Sequence, residues 1–450
     1  MLCCLTLRHP FGNSQANPQI KFHGVDPLSL LRSLQKGNRW PDFTPPADGL
    51  FRRYRGRLFH RRSHLGRGLI SDRVNQLLES EIIVDGEAGV SRGGRAAREL
   101  RLNAGAGAIL VGFANLTHFH VGVADLAGQL LSTRSRPSDF SAGPRDAFAF
   151  AQSSWESMLA ELEIGREKVW GVGVGLPAHS NLETATLIDS PSLPTSWIGY
   201  PVRERLASIF DAPVWLDTSD NMLALAEMRT GVAKGQRDFI YLNADLAIGC
   251  GVVSDSRVMR GAQGAAGNIG HITVGGDELC RCGRRGCLEA VAGGEALLRA
   301  AGSAGRSGES AYFARLQEEG TPLQVGHLAE GVRYGDETSQ RLVAMSGMTI
   351  GRALGATINV LNPAVIVAGG ALPQLGDLFL ASMRQSIYGH ALPFVTRDLG
   401  IVVVQQTEGS GLVGAAQMVI DQIFLPRCLA KWISVGQPTS AVHRLGEASN

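Results

Sequence analysis

The chain has 450 residues, of which 44 % are hydrophobic and 19 % are charged. This composition is typical of soluble globular proteins and excludes a mostly disordered chain or a coiled coil. No apolar run reaches the roughly 18 residues that span a bilayer, and the first ten residues lack the pattern of a secretory signal. We therefore expect a cytoplasmic protein of two or three domains without a membrane partner.

The net charge of +2 is distributed unevenly along the chain. Between positions 51 and 73 eight arginines accompany a single acid, Asp72, so this segment carries +7 and the remainder of the chain carries −5. A basic block on an acidic body is typical of a nucleic-acid-binding module joined to a domain with another task. A solvated linker is the alternative.

The N-terminal region contains a short series of predicted elements. Residues 1–25 are polar, and we expect them to be disordered. The elements that follow are a helix from Pro27 to Gly37, a segment without periodicity over 38–64, a helix over 71–80, a strand over 82–84, a basic turn over 91–95 and a strand over 99–102. This order is that of a winged helix, although a helix followed by an ordinary hairpin has the same order.

From position 108 to about 426 short apolar runs alternate with helical stretches, which predicts an α/β protein with two related lobes. The predicted strands are 109–114, 119–124, 129–132, 169–176, 214–216, 239–243, 250–253, 365–368 and 402–405. A helix over 339–361 has glycines at 347, 351 and 355, a spacing that predicts close packing on one face. Residues 427–450 are polar, and we expect a loose tail.

The most specific motif consists of His271, Cys280, Cys282 and Cys287. Three of the seven cysteines fall within eight residues, which indicates a reducing compartment and a metal site. Three cysteines and one histidine are a common closed ligand set for zinc. Because no position stays open for water, we predict a structural Zn²⁺. Buried free thiols, or a disulfide with an unpaired cysteine, are the alternatives.

Residues 261–271 (GAQGAAGNIGH) and 280–289 (CRCGRRGCLE) resemble the signature of the ROK family, which groups bacterial sugar kinases with transcriptional repressors. The resemblance extends from about Ile70 to Phe424. It implies an actin-like (ribonuclease H-like) two-lobed sugar-kinase fold with a sugar cleft between the lobes. It also implies zinc ligation by the four residues above and assembly as a homodimer or higher homo-oligomer.

Family kinases carry an Asn-Asp-x-Asn sequence whose aspartate accepts the proton of the sugar hydroxyl. The matching residues are 218–221 (TSDN), so Ser219 stands where the base belongs. A serine hydroxyl is not a base near neutral pH. Asp217 and Asp220 are close in sequence, but one step along a helix rotates a side chain by about 100°. We therefore expect neither to replace the base, and no catalytic residue is assigned.

The two family turns that handle phosphates are also altered. They match residues 113–117 (FANLT) and 245–249 (DLAIG), where the family has Asp-x-Gly-x-Thr and a glycine-rich sequence. Asp245 places a negative charge where anionic phosphates would lie. These replacements predict a protein without kinase activity, and the alternative is an ATP-dependent sugar kinase.

The sugar cleft is only partly altered. The resemblance assigns five ligand-binding residues: Thr218, Ser219, Asn268, His271 and Glu289. Asn268 replaces a family glutamate and can still donate and accept hydrogen bonds. The ligand is then a sugar or a sugar derivative. The alternative is that Glu289 only caps a helix and that the cleft binds nothing.

ROK repressors place a winged helix-turn-helix before the sugar domain. Here it corresponds to residues 26–103, and residues 66–78 resemble its recognition helix. The side chains expected to contact DNA are Arg67, Ser71, Arg73 and Asn75 in this helix and Arg92 and Arg95 in the wing. The segment 38–64 is atypical because it lacks the pattern of the family's second helix, so the module is partial.

These features together predict a sugar-responsive transcriptional regulator, a repressor, without kinase activity. Its expected partners are a palindromic DNA operator and a small sugar effector. Besides the kinase, a sugar-binding protein with a defective DNA module is a further alternative.

Overall fold

A computed structural model of the chain describes residues 74–88, 98–181 and 184–425. Several predictions fall on residues outside these ranges: the disordered N-terminus, the first helix, the segment 38–64, Arg67, Ser71, Arg73, the wing residues Arg92 and Arg95, and the tail 427–450. Within the described ranges no helix is long and apolar enough to cross a lipid bilayer.

The helices and strands alternate along the chain, as predicted. The helices are α1 (74–79), α2 (Gly143–Glu161), α3 (Val202–Phe210), α4 (Ser219–Arg229), α5 (Leu288–Ala292), α6 (Gly294–Ser307), α7 (Ala311–Glu318), α8 (Val325–Arg333), α9 (Glu337–Leu361), α10 (Asp377–His390), α11 (Pro393–Thr396) and α12 (Ser410–Ile423). The strands are β1 (Ile83–Ala88), β2 (Arg98–Leu102), β3 (Ala108–Ala114), β4 (His118–Asp125), β5 (Leu130–Pro137), β6 (Val169–Leu176), β7 (His179–Ser180), β8 (Leu187–Asp189), β9 (Val214–Thr218), β10 (Phe239–Ala244), β11 (Ile248–Ser254), β12 (Arg257–Val258), β13 (Val365–Gly369) and β14 (Gly400–Val403).

Two five-stranded sheets with the same topology form the two lobes. The first has the order β5-β4-β3-β6-β9 and the second the order β12-β11-β10-β13-β14. In each sheet three antiparallel strands are followed by two strands parallel to the first strand of that lobe. The repeated topology confirms the prediction of two related lobes in an α/β protein.

Two helices cross between the lobes. Helix α4 follows the last strand of the first sheet, yet it packs on β10 and β11 of the second; α12 follows the last strand of the second sheet and packs on β3 and β6. Alternate glycines in β6 let α12 approach, because a methyl group at Gly173 would overlap the carbonyl oxygen of Ala415. The two helices also contact each other, and the ion pair between Arg229 and Asp421 joins them at 2.7 Å.

The long helix α9 packs closely on α10. It begins after the N-cap Asp336 and ends at Asn362 in the left-handed conformation, near the predicted bounds. Gly347, Gly351 and Gly355 are all buried on the face toward α10, as the four-residue spacing predicts.

The described part of the N-terminal region packs against the first lobe. Strands β1 and β2 form an antiparallel pair, as predicted for 82–84 and 99–102. Leu77, Ile83 and Leu100 belong to the same hydrophobic cluster as Trp170 and Phe424. Since one core includes both parts, this helix and hairpin are attached directly to the lobe.

The last predicted strand is displaced in the structure. It was expected over 402–405, but β14 covers Gly400–Val403 because Gly400 lies opposite Val365 in the parallel register. Sheet pairing, rather than the apolar run alone, therefore sets where this strand begins. The short strands β7, β8 and β12 were not predicted, because two or three residues carry no periodicity.

Candidate ligand cleft and metal cluster

A cleft lies between the two lobes, at the carboxyl ends of the parallel strands where ligands of α/β sheets usually bind. It encloses a cavity of about 110 Å³. One water molecule needs roughly 10–15 Å³ of such space, so the cavity has the scale of a small organic ligand. All five residues predicted to bind the ligand line it: Thr218, Ser219, Asn268, His271 and Glu289.

Ser219, the residue at the family's base position, uses its hydroxyl inside the protein. It is the first residue of α4, and its Oγ donates a 2.6 Å hydrogen bond to the carbonyl oxygen of Ala114. Thr218 is the N-cap, and its Oγ1 accepts from the amide of Asn221 at 3.3 Å. Both hydroxyls at this position therefore hold the start of α4 in place.

Asp220 also lines the cleft, and that it does not replace the base stays a prediction. At the first turn of α4, its Oδ1 accepts a 2.8 Å hydrogen bond from Asn243 of β10, and its Oδ2 lies against Gly249. Burial raises the pKa of the Asp220 carboxyl to about 6; the Asn243 bond opposes this rise and Glu289 adds to it. Its carboxylate faces the second lobe because α4 packs on β10.

In the β3–β4 turn, the side chain of Asn115 binds two of the backbone amides of the turn. The Oδ1 of Asn115 accepts from the amides of Thr117 at 2.9 Å and His118 at 2.7 Å. Backbone N–H groups are the donors with which such turns bind phosphate. These two amides are therefore already bonded to a side chain of the turn itself.

The β10–β11 turn shows the same substitution. The Oδ1 of Asp245 accepts from the amide of Leu246 at 2.9 Å, and burial raises the pKa of the Asp245 carboxyl above its ordinary value. A carboxylate in this turn repels a phosphate as well as competing with it for the amide.

Asn268 is engaged across the cleft. Its Oδ1 lies 3.1 Å from Nε2 of His179 in the first lobe, and its Nδ2 donates to the carbonyl oxygen of Ala265 at 3.0 Å. Sequence reasoning missed His179 and Asn243, both of which line the cavity. Their only signal was a polar residue near the carboxyl end of a buried strand.

A second connection between the lobes lies beside the cleft. Asp217, at the end of β9, is almost fully buried, and its Oδ2 accepts from Nε of Arg260 in the second lobe at 2.6 Å. Its Oδ1 accepts from the side chain of Asn221 at 2.6 Å and from the amide of Thr218 at 2.8 Å. The buried charge is thus fully hydrogen-bonded.

The four predicted metal ligands come together in space. The ligand atoms of His271, Cys280, Cys282 and Cys287 all lie within 4.8 Å of one another. Cys280 Sγ is 3.5 Å from His271 Nδ1, and Cys282 Sγ is 3.6 Å from Cys287 Sγ. Zinc bonds of about 2.3 Å to sulfur and 2.0–2.1 Å to nitrogen give tetrahedral edges of roughly 3.5–3.8 Å. The cluster therefore has the dimensions of a metal site.

Glu289 connects the cluster with the cleft. Its Oε2 accepts from the amide of Ile248 at 3.4 Å, and Cys280 Sγ lies 3.7 Å from its Oε1. His271 likewise belongs to both the cluster and the cleft lining. A metal held by these residues would fix one wall of the cavity.

Among the residues predicted to contact DNA, Asn75 is the one that the structure describes. It lies on α1, and its side chain is exposed, whereas Val74 and Leu77 are buried against the first lobe. This orientation leaves Asn75 accessible to a partner.

Comparison with known proteins relates the chain to both regulators and kinases. It is 24 % identical over 361 residues to a putative xylose repressor of Caldicellulosiruptor sp. (strain Rt8B.4), covering 80 % of this chain and 90 % of the relative. It is 26 % identical over 308 residues to a glucokinase of Thermotoga maritima, covering 68 % of this chain and 95 % of the relative.

Solved structures give the same fold. A ROK family transcriptional regulator, a homolog of the E. coli MLC protein, superposes with a TM-score of 0.71 at 21 % identity, covering 84 % of this chain and 93 % of that one. A ROK family glucokinase from Streptomyces griseus, in complex with glucose and AMPPNP, superposes with a TM-score of 0.59 at 26 % identity, covering 69 % and 99 %. The ROK family model matches residues 112–422, and the chain therefore belongs to the ROK family.

Proposed function

We propose that this protein is a sugar-responsive transcriptional repressor without kinase activity. The observation that carries the proposal is the occupation of both phosphate turns by the chain itself, through Asn115 and Asp245. Catalysis by phosphoryl transfer depends on positioned groups that neutralise the phosphates. A cleft that keeps polar sugar-binding residues while lacking those donors is suited to sensing a sugar rather than phosphorylating it.

The Cys3His cluster supports a structural zinc ion in this proposal. His271, Cys280, Cys282 and Cys287 would hold it, and a closed ligand set leaves no position for a reactive water. When bound, the ion supplies rigidity rather than catalysis. Its consequence for function is the placement of His271 and Glu289 in the cleft wall.

The connection to DNA would run through the N-terminal region, assigned to residues 26–103. Helix α1 and strands β1 and β2 share a hydrophobic core with the first lobe. A change in the angle between the lobes would therefore move the N-terminal region that is proposed to bind DNA. In a homodimer this movement alters the spacing of two half-site contacts and hence the affinity for a palindromic operator.

The test is a DNA-binding titration of the purified full-length protein with fragments of its own upstream region, with and without glucose or xylose. We expect salt-dependent binding that one sugar changes at least tenfold. Asn75→Ala is expected to weaken DNA binding about fivefold or more while sugar binding is unchanged, whereas Glu79→Ala, exposed on the same helix, serves as the control. Absence of salt-dependent DNA binding, or of any sugar effect, contradicts the proposal.

One observation favours the alternative of an ATP-dependent sugar kinase. Asp220 lies in the cleft one residue from the family base position, and burial raises its carboxyl pKa to about 6. If Asp220 acted as the base, the protein would transfer a phosphoryl group from ATP to glucose or xylose. Asp220→Asn would then abolish formation of the sugar phosphate. We expect no sugar phosphate from the unaltered protein, and its formation would favour the kinase.

A further inference from the structure

The cleft continues outward into a second, more open space of about 440 Å³, here named the outer groove. The two spaces share the lining residues Leu116, Pro191, Ser192 and Leu246. The cleft and the outer groove are therefore adjacent, and a ligand longer than one ring can extend from one toward the other past these residues.

Two leucines stand at the junction between cleft and groove. Leu116 belongs to the β3–β4 turn and Leu246 to the β10–β11 turn, whose amides are bonded to Asn115 and Asp245. Among the described residues that line the cleft there is no lysine or arginine, whereas Asp220, Asp245 and Glu289 are acids. A phosphate group is thus disfavoured at this junction, and a neutral group with apolar surface is favoured.

The groove itself combines one aromatic wall with a charged rim. Phe140 is partly exposed, and its ring is held edge-to-face by Trp197 at 5.4 Å, while Trp197 Nε1 donates to the Phe140 carbonyl oxygen at 2.9 Å. Opposite, in the second lobe, Arg281 of the metal loop pairs with Glu295 of α6. A sugar ring has an apolar face of C–H groups and a rim of hydroxyls, and this wall and rim match both.

We propose that the cleft ligand is a disaccharide, with one ring in the cleft and the second ring in the outer groove between Phe140 and the Arg281–Glu295 pair. The inference rests on the proposed sugar-sensing function and specifies its ligand class. A two-ring ligand contacts both lobes at both ends, so it stabilises their closure more than a single ring does.

The test is calorimetric titration of the full-length protein with matched pairs: glucose against cellobiose and maltose, and xylose against xylobiose. We expect at least one disaccharide to bind tenfold or more tightly than its monosaccharide. A methyl glycoside of the same sugar has a blocked anomeric hydroxyl but no second ring. It therefore distinguishes the contribution of the second ring from the effect of blocking that hydroxyl. If it binds as tightly as the disaccharide, the groove is not used and the inference is wrong.

Variants of the groove sharpen the result. Phe140→Ala and Arg281→Gln are each expected to reduce the preference for the disaccharide at least fivefold and to leave the monosaccharide Kd within twofold. Phe150→Ala, another partly buried phenylalanine of the first lobe, lies outside the groove and is the matched control. The disaccharide inference is overturned if the variants weaken the binding of both ligands equally, or if the protein binds monosaccharides without preferring a disaccharide. Neither result contradicts the proposed sugar-sensing function. Binding of no saccharide overturns the sensing function as well.

Discussion

At the scale of single residues, the position of the family base has a hydroxyl that is bonded inside the protein and, one residue later, a carboxylate in the cleft. Ser219 commits its hydroxyl to the Ala114 carbonyl, and the neighbouring Asp220 brings a carboxylate into the cleft. Asp220 has no ion-pair partner among the described residues, so its charge is stabilised mainly by the Asn243 hydrogen bond. A carboxylate removed from water without a cation beside it costs stability.

The first prediction concerns the pH dependence of this cost. Because the folded pKa of Asp220 is raised from 3.8 to about 6, the native state favours the protonated form, and stability falls as pH rises from about 4 through 6. Asp220→Asn removes the charge and is expected to raise the free energy of unfolding at pH 7.5 by at most about 3 kcal/mol. Thermal unfolding from pH 4.5 to 7.5 measures the growing difference.

Asp255→Asn is the control for this series. Asp255 is exposed, and the hydrogen bond and charge of Arg237 hold the pKa of its carboxyl below the ordinary value. Its contribution to stability therefore increases with pH, whereas that of Asp220 decreases. This variant should lose a little stability at neutral pH and none at low pH. If the stability difference between Asp220→Asn and the unaltered protein is the same at every pH from 4.5 to 7.5, the raised pKa of Asp220 is contradicted.

The second prediction concerns the Cys3His cluster. We expect the purified protein to contain about one zinc ion per chain, and Cys282→Ser to lose the metal together with several degrees of Tm, because structural zinc contributes folding energy. Cys250→Ser changes a buried cysteine outside the cluster and should retain the metal. Elemental analysis of both variants measures the outcome, and metal-free unaltered protein excludes the zinc assignment.

At the scale of elements, close helix packing sets the frame of the second lobe. Helix α9 lies against α10 along three glycines, and the absent side chains allow the backbones to approach. A methyl group at Gly351 would overlap the carbonyl oxygen of Met383, whereas one at Gly389 of α10 would meet nothing within 4 Å. The same change of residue therefore has opposite consequences at the two sites.

The third prediction follows from this contrast. Gly351→Ala is expected to lower the free energy of unfolding by about 1–3 kcal/mol through overpacking. Gly389→Ala, at an exposed helical position, is expected to raise it by roughly 0.5–1 kcal/mol through helix propensity. Denaturant unfolding of the two variants measures the difference, and equal effects would show that α9 and α10 do not pack as described.

At the scale of the whole molecule, exchanged helices and polar bridges join the lobes. Helices α4 and α12 each pack on the sheet of the opposite lobe, so each lobe contacts the other through a helix. Three hydrogen-bonded pairs cross the interface beside the ligand space: Asp217 with Arg260, Asp220 with Asn243, and His179 with Asn268. A ligand that displaces or reinforces these pairs shifts the lobe angle.

The fourth prediction tests one of these bridges. Arg260→Ala leaves the buried Asp217 without its cation and is expected to cost about 3 kcal/mol of unfolding free energy. Arg237→Ala removes a cation from an exposed ion pair with Asp255 and should cost less than about 1 kcal/mol. Denaturant unfolding of both variants provides the measurement. If the two losses are equal, the Asp217–Arg260 pair does not contribute as a buried bridge.

The sequence by itself determined the features that depend on local spacing. Three cysteines within eight residues predicted the metal cluster, four-residue glycine spacing predicted the close face of α9, and alternating elements predicted two related α/β lobes. These predictions succeed because the interacting groups are near in the chain or repeat with the period of a helix or strand. The five residues that the resemblance assigns to ligand binding line one cavity.

Only the tertiary structure decided what the cleft can do. The placement of Asp220 beside Asn243, the bond between His179 and Asn268, and the continuation of the cleft past Leu246 each join segments that are distant in the chain. The same holds for the hydroxyl of Ser219, bonded to a residue more than one hundred positions away. Such contacts depend on how helices cross between sheets, and no local periodicity carries that information.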